Sequence, residues 1–559
     1  MRQLALWCVV VLTGCASSRS STRFTSPDEL KRVMTQPKPA KVFSGKTVAV
    51  ERWELVGPLP DGYADAPHES ASPFSKVFAD AAATKGFRAS QPLACVARET
   101  ARFVALKGNA PTQGLRGFID ARCGVPAQTV LTQWLTGTAP ADVDEAKLAE
   151  QWRADVLKSA ASIGAGERAG IGSWREGDTV VVALAHVRDE TTIEPVSMTP
   201  GDDGFMVVRG VSGRRADTIF GASNQGATGT GECVNTGARP APAFELKCPV
   251  SKSDETAWVS ISARERGRVL GFEVLRLLAR PSGATANTWT APSLVAKAPG
   301  ATAADFVTQL NAVRAKVGAP AVTLSEAQTA DHAELAPFYF EASQRNDDAL
   351  VDRIALGVMA GWRVEREIMN GTFGATTIEG STASELLADL LESPGYRRNL
   401  LSPRVGVVAV GVLQEGPALG ALVATYDSLQ APTWPDTANT VLTALNGQRQ
   451  RSGRKPVQWV LLPSSGEPRY AEAVSKREYD SGEALQRFMS QASNVTGRAV
   501  RGWRIPVLDL DDIAWPPEVL TKESLELMFV VTTERDEKEP WGRYVLLMII
   551  LEGGAQPEA

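Results

Sequence analysis

The chain has 559 residues, is 43% hydrophobic and 22% charged, and carries a net charge of −5. At about 150 residues per domain, that length predicts three to four folded domains. With no basic block to meet a phosphate backbone, nucleic acid is not an expected partner.

Met1-Arg2 forms a short positive region, and Leu4 to Leu12 is an apolar run too short to span a bilayer. It ends in Leu12-Thr13-Gly14-Cys15, which resembles the lipobox of bacterial lipoproteins. The resemblance implies that residues 1–14 are a signal peptide and that Cys15, the lipidation site, becomes the mature first residue with palmitate-type acyl chains. At about 0.8 kcal/mol per buried methylene, several chains on one cysteine anchor stably. Ala16 stands where an aspartate is associated with inner-membrane retention. The expected location is therefore the bacterial outer membrane, periplasmic or surface-exposed, with the membrane itself a partner through Cys15.

Of six cysteines, Cys8 leaves with the signal and Cys15 takes lipid. The remaining four allow three pairings, of which the two local ones, Cys95 with Cys123 and Cys233 with Cys248, are the simplest. An oxidising periplasm sustains them. No Cys-x-x-Cys pair or nearby histidine argues for zinc instead.

Residues 15–45, rich in Ser, Thr, Lys and Pro after the lipidated cysteine, read as a tether. Helical spacing dominates the next stretch. LACVARETARFVAL (93–106) brings Val96, Phe103 and Leu106 near one face, and LRGFIDARCG (115–124) stops at Gly124. The region 46–195 is read as a helical or α+β domain. From about Gly170 the texture changes to short β-branched runs: GDTVVVALAHV (177–187), GFMVVRGV (204–211), ETAWVSISA (255–263) and RVLGFEVLRLL (268–278). That pattern predicts a β-rich, sandwich-like module over 196–281. Linkers follow at 282–304 and 430–438, bounding a domain at 305–429, and 437–559 forms a C-terminal α+β domain. YVLLMII (544–550) is a buried strand, too short to cross a membrane.

Leu310, Asn311, Arg314 and Gly318 recur as Leu445, Asn446, Arg449 and Gly453. The match suggests related opening helices after the two linkers.

Four stretches carry a family likeness: LNAVRAKVGAPAVTLSEAQTADHAELA (310–336), STASELLADLLESPGYRRNLLSP (381–403), VGVVAVGV (405–412) and ALVATY (421–426). Together they resemble the CAP superfamily (cysteine-rich secretory proteins, antigen 5 and pathogenesis-related proteins) in its bacterial, SCP-like form. The wider layout resembles large CAP-domain lipoproteins of myxobacterial type. The resemblance implies an α+β multidomain protein of CAP-like α-β-α sandwich units plus the β-rich module, with 46–195 and 437–559 as candidate further copies.

CAP domains often hold a divalent metal between two histidines and two acidic residues. Here the Ser-Pro-Gly turn offers Tyr396, a poor ligand while protonated. Ala375 stands where the family's glutamate falls, and FEASQRNDD (340–348) contains no histidine. Only His68, His186 and His332 remain in the mature chain; His186 is expected as a hydrogen-bonded core histidine, His68 and His332 as surface residues. The resemblance therefore implies a lost cleft, with no catalytic set, no metal and no cofactor. Tyr396 with Arg397 and Arg398 forms a candidate binding site for an anionic head group or glycan. GATGTGE (226–232) reads as a flexible turn. The expected function is a non-catalytic envelope lipoprotein that binds a lipid, a glycan or a protein. The alternatives are a hydrolase with a site elsewhere and a structural scaffold.

Overall fold

Val181, Ala183 and Ala185 alternate along one strand with Val180, Val182 and Leu184, and all six are buried. In the computed structural model the first set packs against Leu93, Val96 and Phe103 of the helix Gln91–Lys107. The second set packs against Phe74, Val77 and Phe78 of the helix Pro73–Lys85. A strand covered on both faces reads as one continuous apolar run, and this is the middle layer of an α-β-α sandwich. The structure describes residues 24–552, except 41, 44–46, 68–71, 127–129, 189–190, 214–215, 253–255, 266–270, 282–286, 346, 379, 381, 417, 431, 464–465, 508–509, 511–512 and 536–538. Cys15 and His68 lie outside the described residues.

The chain divides into two units. The first gathers Ser44–Ser293 and Asp389–Arg398; the second gathers Pro27–Phe43, Leu294–Ala388 and Asn399 onward.

One plan is used three times, in repeats spanning 73–187, 303–428 and 436–552. Each opens with a helix: Pro73–Lys85, Ala303–Lys316 or Asp436–Arg451. A two-residue strand follows, then helices, a long strand, more helix and a closing hairpin. The hairpins are Arg168–Glu176 with Thr179–Val187, Val405–Glu415 with Ala418–Ser428, and Glu526–Glu534 with Arg543–Glu552. In all three sheets the two-residue strand pairs parallel with the first hairpin strand. The second hairpin strand lies between the first and the long strand, antiparallel to both. In the third repeat the run YVLLMII alternates as in the first. Leu546, Met548 and Ile550 face Val441 and Leu445, while Val545, Leu547 and Ile549 face Tyr470, Val474 and Phe488.

Close helix crossing explains the Gly-Ile-Gly at 170–172. A Cβ on Gly170 would stand 2.1 Å from the Ala94 nitrogen, and one on Gly172 would stand 2.3 Å from that of Arg98. Gly411 plays the same part in the second repeat, where a Cβ would lie 2.3 Å from the His332 carbonyl carbon.

The recurrent Asn and Arg are a structural clamp. Arg314 is fully buried, and its guanidinium donates to the carbonyls of Pro320 (2.7 Å), Leu400 (2.5 Å), Ser402 (3.0 Å) and Val405 (3.1 Å). Arg449, equally buried, donates to Lys455 (2.8 Å), Val519, Lys522 (2.9 Å) and Glu523 (3.3 Å). Asn311 and Asn446 each accept from the residue eleven positions on, Val322 (2.8 Å) and Val457 (2.9 Å). Gly318 and Gly453, at φ 72° and 70°, turn the chain out of each helix. The first repeat lacks the clamp, with Ala79 and Ala82 at the corresponding distances from Gly86.

Within the first unit, 191–279 forms two four-stranded antiparallel sheets. Their facing residues, among them Val208, Phe244 and Leu246 against Ile219, Val259 and Leu277, make one core, a β-sandwich. Disulfides join Cys95 to Cys123 and Cys233 to Cys248.

One local expectation needs correction. Part of the tether is folded: the helix Pro27–Met34 buries Leu30 and Val33 against Leu335 and Phe338, and the Val42 and Phe43 amides donate to Glu415 at 2.8 Å. The helix Ala383–Glu392 stops just before Pro394-Gly395, and Pro394 opens a second helix, Pro394–Leu401.

Candidate functional site

The helix Ala383–Glu392 is opened by a reciprocal box: the Thr382 amide donates to Glu385 at 3.1 Å and the Glu385 amide to Thr382 Oγ1 at 3.3 Å. Tyr396, Arg397 and Arg398 stand on the helix after it. Arg397 is 8% exposed; its Nε donates to the Leu391 carbonyl at 2.6 Å and its Nη1 to the Gly226 carbonyl at 3.2 Å. Arg398 pairs with Glu232 at 2.5 Å. Asn224 Nδ2 donates to the Glu392 carbonyl at 2.8 Å. Of the GATGTGE stretch, residues 226–228 turn a hairpin, Ala216–Gln225 with Gly229–Glu232, and the rest is its second strand; the stretch meets residues 389–398. The two arginines therefore join parts of the first unit, with Nε and Nη1 of Arg397 on main-chain carbonyls.

Acidic groups surround this junction. Burial pushes the Glu392 carboxyl up to about 7, with Asp389 adding to the effect and Arg276 and Arg397 opposing it. Arg276 Nε is held by Glu273 at 3.0 Å, and Ser260 donates to the same carboxylate at 2.5 Å. Burial opposes the charge of Arg276, but Glu273, Asp389 and Glu392 together raise its pKa.

The two described histidines are structural. His186 is buried in the strand Thr179–Val187 with Nδ1 2.9 Å from Glu167. His332 is fully buried, correcting the expected surface placement; the helix Glu326–Gln344 crosses the sheet at Gly411 with His332 on its covered side. His332 Nδ1 is 2.7 Å from the Gln328 carbonyl, so it carries the hydrogen, and Nε2 has no partner. Burial pushes its pKa down to about 4. Among the described residues, no three His, Cys, Asp or Glu side chains are grouped to hold a metal ion.

Two features had no clear sequence signal. Glu99 is fully buried between Arg98 (3.4 Å) and Arg102 (2.9 Å), and Arg102 lies 4.5 Å over the Trp53 ring. Helical spacing alone gives no sign of this, because Trp53 and Glu54, which Arg102 meets, are distant in sequence. The second is a hollow of about 410 Å³ in the third repeat, between the helices Pro468–Ser475 and Ser481–Thr496. Its walls include Arg469, Tyr470, Lys476, Tyr479 and Arg487. Arg487 lies 4.2 Å over the Tyr479 ring and Arg469 4.9 Å over the Tyr470 ring.

No family model and no curated protein matches the chain. Among solved structures, the chain is similar to an extracellular protein containing an SCP domain from Bacillus anthracis str. Ames. The identity is 14% and the TM-score 0.17, over 43% of this chain and 89% of that one.

Proposed function

We propose that this chain is a lipid-anchored protein of the bacterial outer membrane that binds an envelope component through divergent CAP-like units and catalyses no reaction. The observation that carries the reading is the state of His332. It is the one histidine of the repeat with CAP-like text, and it is sealed in the core with Nδ1 held by its own helix and its pKa pushed down to about 4. A neutral, buried imidazole of this kind neither reaches a substrate nor exchanges protons near neutral pH. The lipobox-like Leu12-Thr13-Gly14-Cys15 and the two disulfides support an exported, anchored protein.

The test has two arms. In a host with lipoprotein machinery, an alkyne-palmitate label should enter the wild-type chain, and Cys15→Ser should abolish the label and release the protein from the membrane fraction. Label surviving in Cys15→Ser overturns the anchor. Native mass spectrometry of residues 16–559 made in a periplasm should show a discrete adduct of an envelope component. A clean mass, with no partner captured by cross-linking in the envelope, overturns the binding role.

A further inference from the structure

Tyr470 is buried and packs against Phe488 at 5.1 Å between ring centroids, so its position is set by the core of the third repeat. Its hydroxyl accepts from Arg469 at 3.0 Å and bonds Gln491. Arg469 is exposed and has no carboxylate partner among the described residues, unlike the other two cations of the hollow. Lys476 is paired with Glu472 at 2.6 Å, and Arg487 with Glu483 at 2.7 Å. Arg477, in the turn between the two helices, has φ 60°, a left-handed conformation no other described non-glycine residue adopts. The turn is held in an unfavourable backbone state at the rim of the hollow.

We propose that this hollow binds a sugar acid, a mono- or disaccharide-sized body bearing a carboxylate; the inference rests on the binding-protein reading above. A volume of about 410 Å³ falls in the range of small-ligand sites. The Arg469 guanidinium lies over Tyr470 with Nη2 on its hydroxyl, and its remaining N–H groups are those a planar carboxylate would meet. Glu472 and Glu478, also in the wall, accept from neutral hydroxyls and repel a polyanion, so a ligand with one negative group and several hydroxyls fits and a phosphate ester does not. Ala473 is the only aliphatic residue of the wall, too little apolar surface for an acyl chain.

The probes are N-acetylmuramic acid and its counterpart without the lactyl carboxylate, N-acetylglucosamine, with inorganic phosphate as competitor. They are offered to the full chain from residue 16, without the lipidated Cys15. Saturation-transfer NMR should show transfer to the acid, and calorimetry should show it binding roughly tenfold or more tighter than the neutral sugar. Phosphate should not displace it. Arg469→Gln, on an exposed side chain, should weaken the acid roughly tenfold while leaving thermal unfolding unchanged. The inference is overturned by absent transfer, by equal affinity for the two sugars, by displacement with phosphate, or by full binding in Arg469→Gln. If any of these occurs while the chain still carries an adduct or a cross-linked partner, this inference falls and the binding role stands.

Discussion

Arg314 and Arg449 show how far one residue can be read. Their recurrence with Leu, Asn and Gly is plain in the sequence and identifies two related helices. Nothing in either segment says that a charged side chain goes to zero exposure, because three of the four carbonyls that hold Arg314 lie 86 to 91 residues away at Leu400, Ser402 and Val405. A guanidinium suits this position because its fork of donors serves several carbonyls that would otherwise be unpaired at helix and strand ends. Burial pulls its pKa below the usual arginine value. Arg314→Met keeps the bulk and leaves four carbonyls without this partner, those of Leu400 and Val405 in buried bonds. With a loss of about 1–3 kcal/mol for a stranded buried group, the second unit should lose about 3 kcal/mol or more in urea unfolding. Arg314→Lys should recover only part, since one ammonium cannot span the set. A loss under about 1 kcal/mol would show that the carbonyls find water instead. His332 makes the complementary point: its place on the helix was legible, but its burial depends on Gly411, a residue that acts by lacking a side chain.

At the scale of elements, the turn that begins GATGTGE and the break between helices at Ser-Pro-Gly are each legible in the sequence. Their meeting is not, because Gly226 and Arg397 are 171 residues apart and neither stretch has a pattern that names the other. The junction also brings in a carboxyl with shifted protonation. Glu392 has a folded-state pKa of about 7, above an unfolded value of 4.5, because burial and Asp389 disfavour its charge. The folded chain therefore holds a proton that the unfolded chain releases. The stabilising contribution is complete below about pH 4.5 and is lost as pH rises to 7. The side chain is half-buried rather than sealed, so the loss is put at about 1–2 kcal/mol. Glu392→Gln, neutral at every pH, should match the wild type near pH 4.5 and be more stable at pH 8 by that amount. Thermal melts of both proteins across this range check it, and parallel curves would mean that Arg276 and Arg397 already neutralise the carboxylate.

At the scale of the whole chain, the three repeats share one strand order but not one means of support. The second and third carry an arginine clamp, with no cysteine from residue 294 onward. The first has no clamp and instead ties the helix Gln91–Lys107 to the end of Gln113–Arg122 through Cys95–Cys123. The other bridge, Cys233–Cys248, also lies in the first unit. Closed loops with sequence separations of 28 and 15 residues lower the entropy of the unfolded chain by about 3 kcal/mol each. Reductant should thus act on one unit and not the other. In calorimetry the oxidised protein is expected to give two transitions, of which thiol reduction lowers one by several degrees and leaves the second in place. Limited proteolysis under reductant should open sites within 44–293 while 399–552 stays resistant. If both transitions fall together, the two units unfold as one cooperative body and the division by means of support has no energetic meaning. If neither moves, the first unit is held by its apolar cores alone, and Trp53, Phe103, Phe118 and Trp289 around the Cys95–Cys123 bridge become the residues to truncate.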